Sequence, residues 1–122
     1  MQVPILKQGS YLIASIQSAL TDADLLHLRD ALVDKVGRFR ARGVIVDVTA
    51  LDVLDSFASL TISQIAQMIR LRGAETVIVG IQPEVAFAMA QLGLSLDDVT
   101  TKLDLEEGLS YLTDRAELSA DA

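Results

Sequence analysis

Two short runs of β-branched residues, Val44-Ile45-Val46-Asp47-Val48 and Thr76-Val77-Ile78-Val79-Gly80-Ile81, constrain this chain more than any other feature. Neither run alternates with polar residues, the pattern of a strand covered on both faces. Between them, roughly from Ser56 to Arg72, Leu60, Ile62, Ile65, Met68 and Ile69 recur at helical spacing, and Gly73 stops the pattern. Buried strands alternating with helices require right-handed crossovers and a largely parallel sheet.

The flanking segments extend this frame. Val3 to Lys7 and Tyr11 to Ile16 are apolar runs broken by Gln8-Gly9-Ser10, which predicts a hairpin and an antiparallel edge. Thr21 to Asp24 has capping-box spacing, and Leu25, Leu28, Leu32, Val36 and Phe39 follow on one helical face. Arg38, Arg40 and Arg42 crowd the end of that helix, where Gly43 is placed to close it. Pro83 suits the first turn of a third helix, which Gly93 ends. Val99 to Leu103 reads as a weak last strand, and Asp104 to Glu107 caps a final helix carrying Leu105, Leu109 and Leu112. The expected order is β-β-α-β-α-β-α-(β)-α, an α/β fold with a mixed, mostly parallel sheet flanked by helices.

At 122 residues, 51% hydrophobic and 22% charged, the chain suits one globular domain over 1–118 with a short tail over 119–122. A net charge of -7 opposes nucleic acid as a partner, since duplex binding needs clustered cations. The absence of cysteine excludes disulfides and thiolate chemistry and suits a reducing, cytoplasmic setting. Neither a signal peptide nor a membrane span is legible.

Chemistry in such folds gathers where strands give way to helices. The segment Thr49 to Ser56 holds Asp52, Asp55 and Ser56 just before a helix start. Ser56 fits an N-cap, and compatibly with that it fits a serine presented to a kinase at a helix end that tolerates phosphate. A nucleophilic serine needs a base, but the lone histidine, His27, lies in the first helix off its apolar stripe. Asp47, Asp52 and Asp55 raise the thought of a Mg²⁺ or phospho-acceptor site. The first strand ends in Lys7-Gln8-Gly9 and adds no acid, so Asp47 reads as a strand-end aspartate satisfied by backbone N–H groups. Gly80-Ile81-Gln82-Pro83 is a strand-to-helix turn rather than a phosphate loop. The expectation is a non-enzymatic chain with no cofactor and no metal.

The strand Val44 to Val48, Asp55-Ser56 opening a helix, and Gly80-Ile81-Gln82-Pro83-Glu84-Val85-Ala86 resemble the STAS family (sulfate transporter and anti-sigma factor antagonist). The resemblance is to the RsbS type, the scaffold of bacterial stressosomes, and takes in Ser15-Ile16-Gln17 and Leu103 to Leu109. It implies a SpoIIAA-like fold, phosphorylation of Ser56, and a stress-response scaffold that sequesters an RsbT-like serine kinase until phosphorylated. It also implies co-assembly with RsbR-type paralogues and an RsbX-like phosphatase. A direct anti-sigma factor antagonist of the SpoIIAA kind is the alternative, although Phe57-Ala58 departs from that pattern. A small-ligand module on a flavodoxin-like frame is the third reading.

Ser59 and Thr49 are the rival acceptors. Ser59 reads as a helix-surface serine one turn on, and Thr49 as a turn residue bonded to local backbone. Asp52, Asp55 and an exposed Phe57 are the expected partner contacts. The first helix (Leu25, Leu26, Leu28, Leu32, Val33) and the third (Val85, Ala86, Phe87, Met89, Ala90, Leu92) hold more apolar residues than one face requires. That width predicts either full burial or a surface for a homodimer and a larger mixed assembly.

Overall fold

The computed structural model describes residues 3–96 and 99–121, with side chains described through residue 117. Its elements are β1 (Ile5–Gln8), β2 (Tyr11–Ser15), α1 (Asp22–Phe39), β3 (Gly43–Asp47), α2 (Ser56–Leu71), β4 (Glu75–Val79), α3 (Pro83–Gln91), β5 (Thr100–Lys102) and α4 (Leu105–Asp121). The order is the expected one. Five strands form one sheet in the order β1-β2-β3-β4-β5. Only the β1–β2 hairpin is antiparallel, and the other three pairings are parallel.

The pleat divides the core in two. Leu12, Ala14, Val44, Val46 and Ile78 point to one side, where Leu28 and Leu32 of α1, Ile62, Ile65 and Ile69 of α2, and Val85 and Met89 of α3 cover them. Ile13, Ile45, Val77 and Val79 point to the other, under Leu105, Leu109 and Leu112 of α4. The register aligns these residues in rows, with Ile13 beside Ile45 beside Val77 and Ala14 beside Val46 beside Ile78. Both faces of β3 and β4 are therefore dry, which is why their sequences lack polar alternation. Gly108 lets α4 lie close, because a Cβ there would stand 2.8 Å from Val79 Cγ1.

The caps obey local chemistry. Asp24 N–H donates to Thr21 Oγ1 and Thr21 N–H to Asp24 Oδ2, each at 3.1 Å, completing the box that opens α1. At α4, Glu107 N–H donates to Asp104 Oδ1 at 2.9 Å, while the Glu107 carboxylate reaches Leu103 N–H at 3.1 Å.

Several expectations change. Gly43 does not close α1; Arg40 does, in the left-handed region at φ 50°, and Gly43 opens β3. Phe39 is not on the core stripe but 41% exposed, with Lys35 Nζ 5.8 Å from its ring centroid. Leu60 and Met68 also leave the core, whose α2 contribution is Ser59, Thr61, Ile62, Ile65, Ala66 and Ile69. The wide stripe of α1 is absorbed, with Leu25, Leu28 and Leu32 buried and Leu26 and Val33 half-buried. On α3 only Val85 and Met89 are buried, leaving Phe87 66% and Leu92 68% exposed. The backbone of 119–121, expected as a tail, continues α4, and Ala122 lies outside the described residues.

Candidate functional site

The strands β2, β3, β4 and β5 all end at the same edge of the sheet, and α1, α2, α3 and α4 all begin there. The segment between β3 and α2 crosses that edge. Its apolar residues Val48, Leu51 and Leu54 are buried as anchors, while Asp52, Val53 and Asp55 are exposed. Val48 N–H donates to Val79 O and Leu51 N–H to Val48 O, each at 3.0 Å, which folds the segment into a tight turn.

Asp55, not Ser56, is the N-cap of α2. Its Oδ1 accepts Ala58 N–H at 2.8 Å and its carbonyl accepts Ser59 N–H at 2.9 Å. Ser56 is therefore the first helical residue, exposed, and its hydroxyl has no protein partner among the described residues. The positive end of the helix dipole and the unpaired N–H groups of the first turn surround it, so a phosphate there suits the helix.

The two rival hydroxyls are differently placed. Ser59 is not a surface serine: it is 2% exposed, and its Oγ has no hydrogen-bond partner. Thr49 is exposed as a residue, but its hydroxyl donates to Asp47 Oδ1 at 2.6 Å, and its N–H donates to the same oxygen at 2.9 Å. Asp47 receives the expected backbone N–H and also the Thr49 hydroxyl, which bonds to a side chain rather than to local backbone.

This turn is locked to the next one. Gln82 Nε2 donates to Thr49 O at 2.7 Å, so Gln82 stands at the N-cap position of α3 without capping it. Gly80 has φ 82°, and a Cβ there would fall on Thr49 Oγ1 and 3.0 Å from Thr49 Cβ. The Gly-Ile-Gln-Pro motif thus fixes the root of the Ser56 segment from the side.

Around Ser56 the surface is both acidic and apolar. Asp52 and Asp55 supply the charge; Phe57, expected to be exposed, is so, and Val53 and Leu60 stand exposed beside it. Leu60 stands on the outer side of α2 although its spacing suits the apolar face, and Val53 has no local pattern that marks it as exposed. The adjoining cleft, lined by Ile16, Leu20, Leu25, Leu54 and Ala58, holds about 90 Å³, well below the ~300 Å³ at which small-ligand pockets begin. Asp47 and Asp55 are spent on Thr49 and Ala58, and the described residues contain no group of three His, Asp or Glu side chains arranged to hold a metal. His27 lies apart, exposed on α1 in a groove shared with Asp24 and Lys35. No helix among the described residues is long and apolar enough to cross a membrane.

The STAS domain model matches residues 2–108, and the chain belongs to the STAS family. Within that family its structure is similar to a serine-to-glutamate variant of RsbS from Moorella thermoacetica, with a TM-score of 0.80, 30% identity, and coverage of 94% of this chain and 97% of that one. A chain from the stressosome, described as a signal integration and transduction hub, matches with a TM-score of 0.76 and 31% identity over 93% of this chain and 98% of that one. The RsbT co-antagonist protein RsbRA of Bacillus subtilis (strain 168) is 33% identical over 91 residues, 72% of this chain but 33% of the relative, so the chain spans about a third of that relative's length. Unphosphorylated SpoIIAA, at 12% identity and a TM-score of 0.73, shares the fold.

Proposed function

We propose that this chain is a non-catalytic, cytoplasmic scaffold of a stressosome-type signalling complex, which holds an RsbT-like serine kinase and releases it when Ser56 is phosphorylated. The observation that carries this reading is the contrast among three hydroxyls: Ser56 exposed and unpartnered, Ser59 buried, Thr49 committed to Asp47. The likeness to RsbS and to RsbR co-antagonists supports it.

The chemistry belongs to the kinase. Ser56 Oγ attacks the γ-phosphorus of ATP, the new O–P bond forms as the bond to the β,γ-bridging oxygen breaks, ADP leaves, and the hydroxyl proton passes to a base on the kinase. The product places about -1.5 to -2 charges beside Asp52 and Asp55. Because the phosphate sits at the positive end of α2, the helix keeps its shape, and repulsion falls on whatever covers the segment. A loss of only about 3 kcal/mol weakens binding more than a hundredfold. Release needs no refolding. Return to the binding state requires an RsbX-like phosphatase.

Assembly is the second half of the proposal. The apolar surface of α3 around Phe87 and Leu92 is the contact for a homodimer and for a larger particle with RsbR-type paralogues. Incubation with the kinase and ATP, followed by mass spectrometry, tests the acceptor: wild type is labelled at Ser56 and Ser56→Ala is not. Equal labelling of Ser56→Ala overturns the assignment.

A further inference from the structure

We infer that the outward face of α2 is a docking track for the kinase that modifies Ser56, running from Phe57 down to Leu71. This rests on the proposed function and goes beyond it, because it assigns the partner a surface far from the acceptor.

The core takes Ser59, Thr61, Ile62, Ile65, Ala66 and Ile69 from α2, with Thr61 at the border of the outer side. On the opposite side Phe57, Leu60, Gln64, Met68 and Leu71 follow at spacings of three, four, four and three, which places them in one row. All five are exposed, Leu60 by 59% and Leu71 by 84%. No charged residue occurs between Ser56 and Ile69. A helix side that meets only water normally carries charge. α1 does so: its exposed positions include Asp30, Asp34 and Arg38, with Arg38 paired to Asp34 at 3.2 Å. The other exposed apolar residues of the sheet edges are isolated beside charges, as Leu6 is by Lys7 and Leu103 by Lys102 and Asp104. A contiguous uncharged row of this kind marks an interaction surface.

The occupant follows from continuity with Ser56. A kinase in line with Ser56 Oγ must rest on the first turn of α2 and so on Phe57 and Leu60. The row then continues unbroken for about 21 Å at 1.5 Å per residue. Its ends differ in charge, with Asp52 and Asp55 at the acceptor and Arg70 at the far end. The fitting partner has an apolar groove that is basic where it meets Ser56, the end at which it must also neutralise the phosphates of ATP. The exposed face of α3 is the one assigned to assembly in the proposed function.

The test uses the whole chain with the purified RsbT-like kinase of the same organism and ATP. Met68→Glu, Leu71→Glu and the pair keep the helix, which circular dichroism checks. In the pair, KM for the chain rises at least about tenfold while kcat for Ser56 phosphorylation stays within about twofold, the signature of lost docking rather than lost chemistry. Leu71→Met and Leu103→Glu retain the wild-type KM. An unchanged KM in the pair overturns the track, as does an equal rise in Leu103→Glu. A changed oligomeric state with unchanged KM also overturns it and gives the face to another copy. If wild type is labelled at Ser56 in each of these cases, the proposed function stands while the track falls; if wild type is not labelled at Ser56, both fall.

Discussion

Replacing Gly80 by alanine tests the lock that roots the Ser56 segment. At φ 82° an L-residue carries about 1–2 kcal/mol of backbone strain. The added methyl falls on Thr49 Oγ1, and Thr49 Cα stands only 3.1 Å away, so Thr49 must turn. Turning it gives up the 2.6 Å bond to Asp47, a hydrogen bond to a charged group worth about 1.5–3 kcal/mol. The sum is about 2.5–5 kcal/mol, or about 10–20 °C in Tm at roughly 4 °C per kcal/mol for a domain of this size. Urea denaturation followed by circular dichroism reads it as a lower midpoint at constant m. Thr49→Ala removes the clashing oxygen and a bond that Gly80→Ala has already broken, so in the Gly80→Ala background it costs less than in wild type, with a coupling of about 1.5–3 kcal/mol. A Gly80→Ala loss below about 1 kcal/mol, or strict additivity of the two changes, refutes the lock.

Two further outcomes follow from the same geometry. Asp55→Ala removes the cap on Ala58 N–H and lowers stability by about 1 kcal/mol, whereas Asp55→Asn keeps most of it; chemical denaturation of both decides whether Asp55 or Ser56 is the cap. Phe87→Glu abolishes self-association measured by sedimentation or light scattering, and since the chain has no cysteine, Ala90→Cys forms a disulfide-linked dimer without background; a wild-type monomer at high concentration removes α3 as the assembly face.

The parts of the fold that sequence revealed are those where one physical demand dominates. The runs at Val44 and Thr76 are buried on both sides, and nothing but β-branched and aliphatic residues suits that position. The capping box at Thr21 is legible because both of its hydrogen bonds are local. Boundaries went astray where two residues satisfy the same demand. Asp55 and Ser56 are comparable N-caps, and the geometry alone places the cap on Asp55 and leaves the serine free. Residue type misled on α2, where Leu60 was assigned inward and Ser59 outward. Position decided both: Ser59 lies with Ile62, Ala66 and Ile69 on the buried stripe, and Leu60 lies with Gln64 and Met68 on the outer row. The contact between Thr49 and the turn at Gly80 joins residues far apart in sequence, and no local pattern announces it.

Under the proposed function, charge at Ser56 detaches the kinase without refolding the domain. Isothermal titration of the kinase with wild-type chain, Ser56-phosphorylated chain and Ser56→Asp, alongside their melting curves, tests it directly. Phosphorylation weakens binding more than about a hundredfold, Ser56→Asp weakens it in the same direction by less, and all three melt alike. Equal affinity for the phosphorylated and unmodified chains, or a phosphorylated chain that binds weakly only because it has melted or rearranged, contradicts it.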